Sequence, residues 1–238
     1  MIVYKMRLGF FEQYKVHNEP WPWDENYEEW RAFLKKTMWT LFINIALIFP
    51  ASITLRQYMF KWEVKFSFEI EDIPDPITLF LQIAFCFVVE DFLFHITHRL
   101  SHHRLVYGWM HKKHHEYKTT ISIAAEYAHP LDYLFTQLIP SSVGTNILGP
   151  RIHVFAVFVW YMVRVSETAD GHSGYDFPWS IFRVMPFNTS AAYHDYHHLH
   201  NVGNYSSIFR LWDTVFGTNK HFYKHLDDID KDSQKKKQ

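Results

Sequence analysis

The spacing His-x-x-His-His occurs twice in this chain and constrains the fold more than any other feature. Residues three and four apart lie on the same face of a helix, so such spacings can present several imidazoles together. A histidine pair at His-x-x-x-His spacing precedes the first copy. The three sets are His98 and His102; His111, His114 and His115; and His194, His197 and His198.

These sets predict a metal site. Neutral imidazole is the commonest metal ligand in proteins and suits zinc, copper, iron and nickel. A tetrahedral zinc ion takes about four ligands, whereas the three sets together offer twice that number. The count therefore predicts a dinuclear site. A solvated, histidine-rich surface is the alternative, and it leaves the repeated spacing unexplained.

Composition excludes several classes of protein. The 238 residues include 24 Lys and Arg and 25 Asp and Glu, so the net charge of −1 predicts no attraction to nucleic acid. The single cysteine, Cys86, cannot build a disulfide framework or an iron–sulfur cluster. It lies in an apolar run, which favours a buried core position. The N-terminal residues lack the pattern of a secretory signal peptide.

Four apolar segments predict helices in a membrane. Residues 37–55 carry no charge over 19 positions, close to the roughly 20 needed to cross the hydrocarbon layer. Pro50 predicts a kink in this helix. Residues 76–94 form the second run, and residues 133–150 and 152–163 predict a second hairpin that either spans or re-enters.

The order of these segments is apolar hairpin, histidine set, apolar hairpin, histidine set. If both hairpins enter and leave on one side, all the histidines face that side. We therefore predict an all-α fold of integral membrane hairpins with a cytosolic, helical, histidine-rich cap that holds a dinuclear metal site. The predicted divisions are a juxtamembrane segment (1–36), the membrane-embedded domain (37–223) and a charged, disordered tail (224–238).

Tryptophans and carboxylates give further predictions. Trp21, Trp23 and Trp30 lie either at a membrane interface or in ordinary packing. Ionisable residues at membrane depth are costly, and a carboxylate that receives the free N–H of a ligand histidine would fit there. The carboxylates predicted to orient ligand histidines are Glu90, Asp91, Glu126, Asp170 and Asp195.

The chain resembles the sterol desaturase/fatty acid hydroxylase superfamily of membrane diiron enzymes over roughly residues 28–220. The superfamily's three boxes, H-x3-H and two copies of H-x2-HH, match His98-RLS-His102, His111-KK-His114-His115 and His194-DY-His197-His198. The stretches AEYAHP and ETADGHSGYD look most like those of methylsterol monooxygenases, as does WDTVFGT.

This resemblance implies a set of ligands. It adds His129 and His172 to the eight histidines of the spaced sets, giving His98, His102, His111, His114, His115, His129, His172, His194, His197 and His198 as predicted metal ligands. The weaker candidates are His95, His103 and His200. Ordinary surface or packing roles are expected for His17, His153, His221 and His225.

Two departures from the resemblance stand out. Methylsterol monooxygenases commonly carry a histidine at the position of Phe94, whereas here His95 follows one residue later, about 100° around a helix. Either the helix rotates locally and His95 serves, or that ligand is missing. The chain also begins close to its first apolar run, where relatives usually carry a further apolar segment.

The resemblance also implies chemistry and location. It implies a non-haem diiron monooxygenase that oxidises a C4 methyl group of sterols in a bilayer, using dioxygen and two iron ions, with zinc as an alternative in purified material. Electrons would come from NAD(P)H through a small haem carrier and its reductase, since the chain has no nicotinamide or flavin fingerprint. Lys235 and Lys236 match a retrieval signal for the endoplasmic reticulum membrane, with the metal site and C-terminus cytosolic.

Three alternatives remain open. The histidine boxes are shared with sterol side-chain hydroxylases, sterol ring desaturases and fatty acyl hydroxylases. A membrane zinc hydrolase would need a catalytic glutamate in H-E-x-x-H, which the sequence lacks. A non-catalytic member of the superfamily is the third alternative.

Overall fold

The predicted all-α architecture is confirmed. The computed structural model describes residues 9–17, 20–60 and 66–235. Within these ranges there is no β-strand, and the only extended pairings are three isolated bridges. The longer helices are α1 (Tyr27–Ile43), α2 (Phe49–Phe60), α3 (Pro76–Ser101), α4 (Ile139–Leu148), α5 (Val154–Gly171), α6 (Ala191–His200), α7 (Leu211–Phe216) and α8 (Lys220–Lys235).

Helices α1 and α2 form the first arm of the first hairpin. The Asn26 side chain accepts a hydrogen bond from the backbone N–H of Glu29, which caps the start of α1. A π-helical turn, Asn44–Ile48, joins α1 to α2. Pro50 lies in the first turn of α2, so the irregular turn falls where its ring would disturb an α-helix.

Helix α3 is the return arm, and it carries the chain to the histidine-rich region. Asp75 caps it by accepting hydrogen bonds from the N–H groups of Ile77 and Thr78. The segments Tyr27–Leu55 and Pro76–Ser101 are long and apolar enough to cross a membrane. Only 11% and 22% of their most apolar windows are buried inside the protein, so most of these side chains face outward.

The second hairpin consists of α4 and α5. Two short segments, Pro130–Asp132 and the π-helical Tyr133–Leu138, lead into α4, and the 3-10 turn Gly149–Arg151 leads out of it. The tip of this hairpin pairs with the connection between α2 and α3, because the N–H of Ser67 donates to Ile152 and Ser67 accepts from Val154.

Helix α4 packs closely on α3. A Cβ atom at Gly144 would lie 2.9 Å from the Cα of Cys86, so only glycine allows this approach. Cys86 itself is fully buried, in a cluster with Phe87 and Trp160. The expectation that the cysteine lies in the core is therefore correct.

The remaining segments form a cap over the ends of α1, α3 and α5. It contains α6, α7 and α8 together with short helical turns. These turns are Gly9–Glu12, Pro22–Glu25, His111–Glu116, Ser122–Glu126 and Ile181–Val184. A further 3-10 turn, Ile70–Asp72, lies in the connection between α2 and α3.

An aromatic cluster holds the N-terminal segment against the cap. Trp21 is buried, stacks on Trp23 at a centroid distance of 5.1 Å and contacts Tyr175. Trp30 contacts Tyr117 edge to face. Of the two roles open for these tryptophans, packing is therefore the one observed in the structure.

The C-terminal segment differs from the prediction of disorder. Helix α8 runs from Lys220 to Lys235, so residues 224–235 are helical. Its one buried residue, Phe222, packs on Tyr193, which anchors the first turn. Most residues beyond it are polar and exposed, and this composition led to the wrong prediction. Lys236 and Lys237 lie outside the described residues.

Candidate metal centre

The predicted histidines come together at the end of α3. His98 lies in the last turn of α3, and His102 is the residue that ends it. The 3-10 turn His111–Glu116 returns the chain to the same place. His172 ends α5, and α6 carries the remaining three.

Nine histidines form two adjoining groups. In each group the candidate ligand atoms all lie within 4.8 Å of one another. The five-histidine group is His98, His102, His111, His115 and His197, and the four-histidine group is His114, His172, His194 and His198.

Each His-His pair of the sequence divides between the two groups. His114 and His115 point into different groups, and so do His197 and His198. Adjacent side chains diverge by about 100° on an α-helix and by about 120° on a 3-10 helix. The pairs therefore place the two groups side by side, which differs from the prediction that each spaced set shares one face.

Backbone carbonyls fix the orientation of most of these rings. Each acceptor lies within hydrogen-bonding distance of a histidine Nδ1, which must donate because a carbonyl oxygen only accepts. The Nδ1 distances are 2.8 Å from His98 to Tyr205, 2.6 Å from His197 to Gly203, 3.1 Å from His114 to Tyr127, 2.8 Å from His172 to Thr168 and 3.0 Å from His198 to Tyr117.

Asp132 orients a sixth ring. Its Oδ2 lies 2.8 Å from Nδ1 of His111, and both side chains are buried. A carboxylate on the outer nitrogen fixes the tautomer and increases the basicity of the inner nitrogen. Asp132 was not among the predicted carboxylates. Its position three residues after His129, just before an uncharged run, is the only sign of it in the sequence.

A ring whose Nδ1 carries the proton presents a bare lone pair at Nε2. The Nε2 atoms of His198 and His172 lie 3.3 Å apart, and neither has a proton to donate to the other. In the five-histidine group, the bare Nε2 is that of His111, whose Nδ1 faces Asp132, and it lies 3.1 Å from Nε2 of His115. The buried Nε2 of His98 has no hydrogen-bond partner within the described parts of the chain.

These lone pairs repel one another unless a cation lies among them. The centre is therefore suited to metal ions for three reasons: its rings present bare Nε2 atoms, it is buried, and all of its candidate ligands are imidazoles. Imidazole suits iron, zinc, copper and nickel. Five converging nitrogens also exceed the four of a tetrahedral zinc site.

The electrostatics agree with neutral ligands. Burial is the main cause that lowers the pKa of His114 to about 4. Burial lowers the pKa of His197 to about 3. Burial also holds the pKa values of His172, His194 and His198 well below their usual range. These five imidazoles are therefore unprotonated near neutral pH, as metal binding requires.

A small cavity of about 20 Å³ touches both groups. It has room for about one water-sized molecule. His98 and His194 line it from the two groups, and Phe94 and Arg164 line it from the membrane side. The Phe94 ring lies 5.0 Å from the His98 ring and 5.6 Å from the guanidinium carbon of Arg164.

His95 does not take the place of a ligand at position 94. It is fully buried on another side of α3, with its ring stacked on Phe216 and its Nδ1 3.3 Å from the Ser206 hydroxyl. Helix α3 shows no local rotation that would turn His95 inward. Phe94 faces the cavity instead, so the position of the missing histidine is apolar here.

The other candidates lie outside both groups. The Nδ1 of His129 accepts a hydrogen bond from the N–H of Leu131 and caps a helical turn. His103 is exposed and accepts from the N–H of Leu105. His200 is exposed and its ring lies 4.3 Å from that of Tyr196.

The five predicted carboxylates lie outside both groups, and the described structure shows no hydrogen bond from a ring of the centre to any of them. Glu90 accepts a hydrogen bond from Nε of Arg164, and Asp91 accepts from the N–H groups of Ile208 and its neighbours. Asp170 accepts from the Ser180 hydroxyl.

The other two lie on either side of the cap. Asp195 accepts from Thr120 and lies 2.5 Å from Nε2 of His17. Glu126 is half-buried. Burial raises the pKa of its carboxyl group, and the nearby charge of Arg164 opposes this only in part. Among the described residues, none of the five contacts a ring of either group directly.

Comparison with known proteins agrees with this geometry. The sequence model of the fatty acid hydroxylase family matches residues 83–218, which include all nine clustered histidines. The chain belongs to the fatty acid hydroxylase family, within the sterol desaturase superfamily. The recognition made from the histidine boxes is therefore confirmed.

Individual relatives cover most of the chain. Methylsterol monooxygenase 1 of Gallus gallus is 33% identical over 232 residues, which are 97% of this chain and 73% of the relative. The Rattus norvegicus protein of the same name is 32% identical over 94% of this chain and 73% of its own. A very-long-chain aldehyde decarbonylase of Oryza sativa subsp. japonica is 36% identical over 92% of this chain and 78% of its own. No solved structure matches.

Proposed function

We propose that this chain is a membrane non-haem diiron monooxygenase. The observation that carries the proposal is the pair of adjoining groups of buried imidazoles whose Nε2 lone pairs converge. The five-histidine group would hold one iron ion and the four-histidine group the other. When bound, the iron would supply the activation of dioxygen and the removal of hydrogen from an unactivated C–H bond.

The protein's own residues hold and shield this centre. The carbonyls of Tyr205, Gly203 and Tyr117 keep the rings aimed inward. The cavity beside Phe94 touches both groups, so it is the place for the reacting carbon. Arg164 donates to Glu90 and Glu167, and these two hydrogen bonds hold its charge in place beside the cavity.

For the substrate, we propose a sterol whose C4 methyl group is oxidised. Support comes from the methylsterol monooxygenases at 33% and 32% identity over nearly the whole chain. The apolar outer faces of α1–α3 fit a substrate that arrives from the bilayer. The resemblance of AEYAHP and ETADGHSGYD to those enzymes supports the same choice.

A second candidate is another lipid oxidase of the superfamily. The observation that favours it is the similarity to an aldehyde decarbonylase, at 36% identity over 92% of the chain. The apolar Phe94 at a position where methylsterol monooxygenases commonly carry histidine points the same way. The histidine groups alone do not separate these two functions, because both would use the same metal centre.

Electrons must come from outside the chain, since it carries no nicotinamide or flavin fingerprint. We propose NAD(P)H as the source, with a small haem carrier and its reductase as partners. We also propose the endoplasmic reticulum membrane as the location, with the metal centre and C-terminus on the cytosolic side.

A rescue assay tests the function. The chain is expressed in cells that lack their own methylsterol oxidase, and the sterols are profiled with His114→Ala as the inactive control. We expect 4-methylsterols to disappear with the wild-type chain and to persist with the variant. If they persist with both at equal expression, the sterol assignment is wrong, and profiling of long-chain aldehydes and hydroxy acids tests the second candidate.

A further inference from the structure

One face of the cap is apolar and basic, and it adjoins the lipid-facing side of α3. Val184 and Phe187 project from the loop after α5, and Leu211 and Val215 project from α7. Their exposed fractions are 85%, 59%, 38% and 64%, respectively. We call these four residues the apolar cap face. Hydrophobic side chains grouped at a surface mark a site of interaction.

The two segments that form this face are joined to each other. The N–H of Arg210 donates to the carbonyl of Phe187 at 2.8 Å. Asn188 and Phe209 form an isolated antiparallel bridge. The loop and the start of α7 are therefore held together, and their exposed apolar side chains belong to one surface.

The depth of this surface follows from its attachment to α3. Asp91 of α3 accepts hydrogen bonds from the N–H groups of Ser207, Ile208 and Phe209. Asp91 lies ten residues before the end of α3 at Ser101, which is about 15 Å along the helix axis. The attached segment is therefore about 10 Å closer to the middle of the apolar helix than His98 is.

The apolar cap face is also continuous with the surface that faces lipid. Phe92 is exposed on α3, and its ring lies 4.8 Å from that of Trp212 in α7. Leu211 and Val215 are four residues apart, so they lie on one side of α7. The outward apolar side of α3 thus passes without interruption into the cap.

The charged residues around the apolar cap face are a second argument that it contacts lipid. Between residues 177 and 217 the only acidic residues are Asp195 and Asp213, which are 2% and 0% exposed. Arg210 is exposed beside the face, and Arg99 is exposed near the neighbouring end of α3. Within residues 177–217 the exposed charges are therefore basic, as is typical of segments that lie in the headgroup region of anionic membranes.

We propose that the apolar cap face is immersed in the bilayer interface, with Arg99 and Arg210 on anionic headgroups. The cap would then rest on the membrane as well as being tethered to it by the helices. This proposal concerns lipid contact only, and it holds or fails independently of the reaction that the metal centre performs.

Site-specific fluorescence tests the proposal in the full, metal-loaded chain. Cys86 is the only cysteine, so Cys86→Ala provides the background. Val184→Cys and Val215→Cys are each labelled with a polarity-sensitive probe in nanodiscs of zwitterionic and anionic lipid. Phe80→Cys, on the exposed apolar side of α3, is the lipid-facing control, and Asp232→Cys on α8 is the water-facing control.

The probes at positions 184 and 215 should emit at blue-shifted wavelengths like the probe at position 80. They should also be quenched by lipids that carry a spin label near the headgroup. Emission like that at position 232 would overturn the proposal. Blue-shifted emission without quenching by lipid would overturn it too, because another protein surface would then be covering the face.

The arginines give a second readout. With Arg99→Gln and Arg210→Gln combined, quenching at position 215 should lose its dependence on the anionic lipid fraction. An unchanged dependence would contradict the role given to the two arginines. Metal content, measured on every variant, shows that the centre remains intact.

Discussion

Two regions of the cap bury polar groups, and they differ in whether those groups have hydrogen-bond partners. Around Asp213, which is fully buried, each carboxylate oxygen accepts two hydrogen bonds. One oxygen accepts from Tyr205 N–H and the Thr218 hydroxyl, and the other from Ser206 N–H and the Tyr193 hydroxyl. In the histidine centre, by contrast, the Nε2 lone pairs of His172 and His198 face each other at 3.3 Å.

This difference separates a structural site from a binding site. A buried polar group with complete hydrogen bonding needs nothing from outside the chain. A buried cluster of acceptors without donors needs a cation. The two regions are also linked, because the loop that Asp213 holds carries the Tyr205 carbonyl that orients His98. Asp213 therefore stabilises the scaffold, while the histidines form a site that suits a metal cation.

The largest effect is expected from removal of a histidine in the four-histidine group. His198→Ala should lower turnover by at least about 100-fold, more than is typical when a residue that only orients a metal ligand is lost. It should also lower the bound metal by about one ion per chain. Turnover and metal content are measured on the same purified sample.

His129→Ala is the matched control, because His129 lies outside both groups. It should keep its metal. If His129→Ala loses as much metal as His198→Ala does, the division of the histidines into these two groups is wrong.

Asp213→Asn should act on stability instead. Breaking a buried and fully hydrogen-bonded carboxylate should lower the free energy of unfolding by about 3–5 kcal/mol. Because the deficit belongs to the scaffold, it should appear with and without metal. Chemical denaturation in detergent, before and after chelation, measures it. Asp232→Asn on the exposed part of α8 is the control, and a deficit confined to the metal-loaded protein would contradict the separation of roles.

Acid should destabilise the metal-free protein through the histidine centre. The folded-state pKa values of His114 and His197 are lowered to about 4 and about 3, mainly by burial, whereas an unfolded histidine titrates near 6.5. The unfolded chain then binds more protons in that window, so stability is complete above about pH 6.5 and falls as the pH drops toward 4. Melting temperatures across pH 4–8 measure this.

If buried histidines cause this loss of stability, replacing them with a side chain that does not titrate should reduce it. A variant with His114→Gln and His197→Gln should therefore show a flatter profile between pH 6.5 and 4. A profile identical to that of the wild-type chain would place the titrating groups elsewhere.

The smallest effect is expected from Asp132→Asn. The amide oxygen can still accept from His111, but it lacks the negative charge that raises the basicity of the ring. Metal affinity should fall by about 10- to 100-fold, as measured by competition with a chelator. Asp195→Asn, whose carboxylate contacts Thr120 and His17, should change it less.

Much of the fold and the centre could be predicted from the sequence, because both depend on side chains whose type and spacing the sequence shows directly. Uncharged runs predicted the two helices that are long and apolar enough to cross a membrane, and histidine spacing predicted eight members of the two groups. His172 required the family resemblance, since it has no histidine three or four residues away. His129, implied in the same way, lies outside both groups.

Other features left no such signal. The rings are aimed by the carbonyls of Tyr205, Tyr117 and Tyr127, and any residue provides a carbonyl. Gly203 is the exception. Its φ is +63°, and a Cβ there would clash with the Thr218 carbonyl, so glycine marks the turn that aims His197. Adjacent histidines gave the right residues but the wrong grouping, because spacing alone does not fix which way each ring turns.

The metal content of the purified chain tests the central claim most directly. Protein expressed with ample iron is purified in detergent, and metal per chain is measured by mass spectrometry beside His198→Ala. We predict two iron ions per wild-type chain and about one for the variant. One ion or none in a folded wild-type sample, or an equal content in the variant, would contradict a dinuclear centre built from these nine histidines.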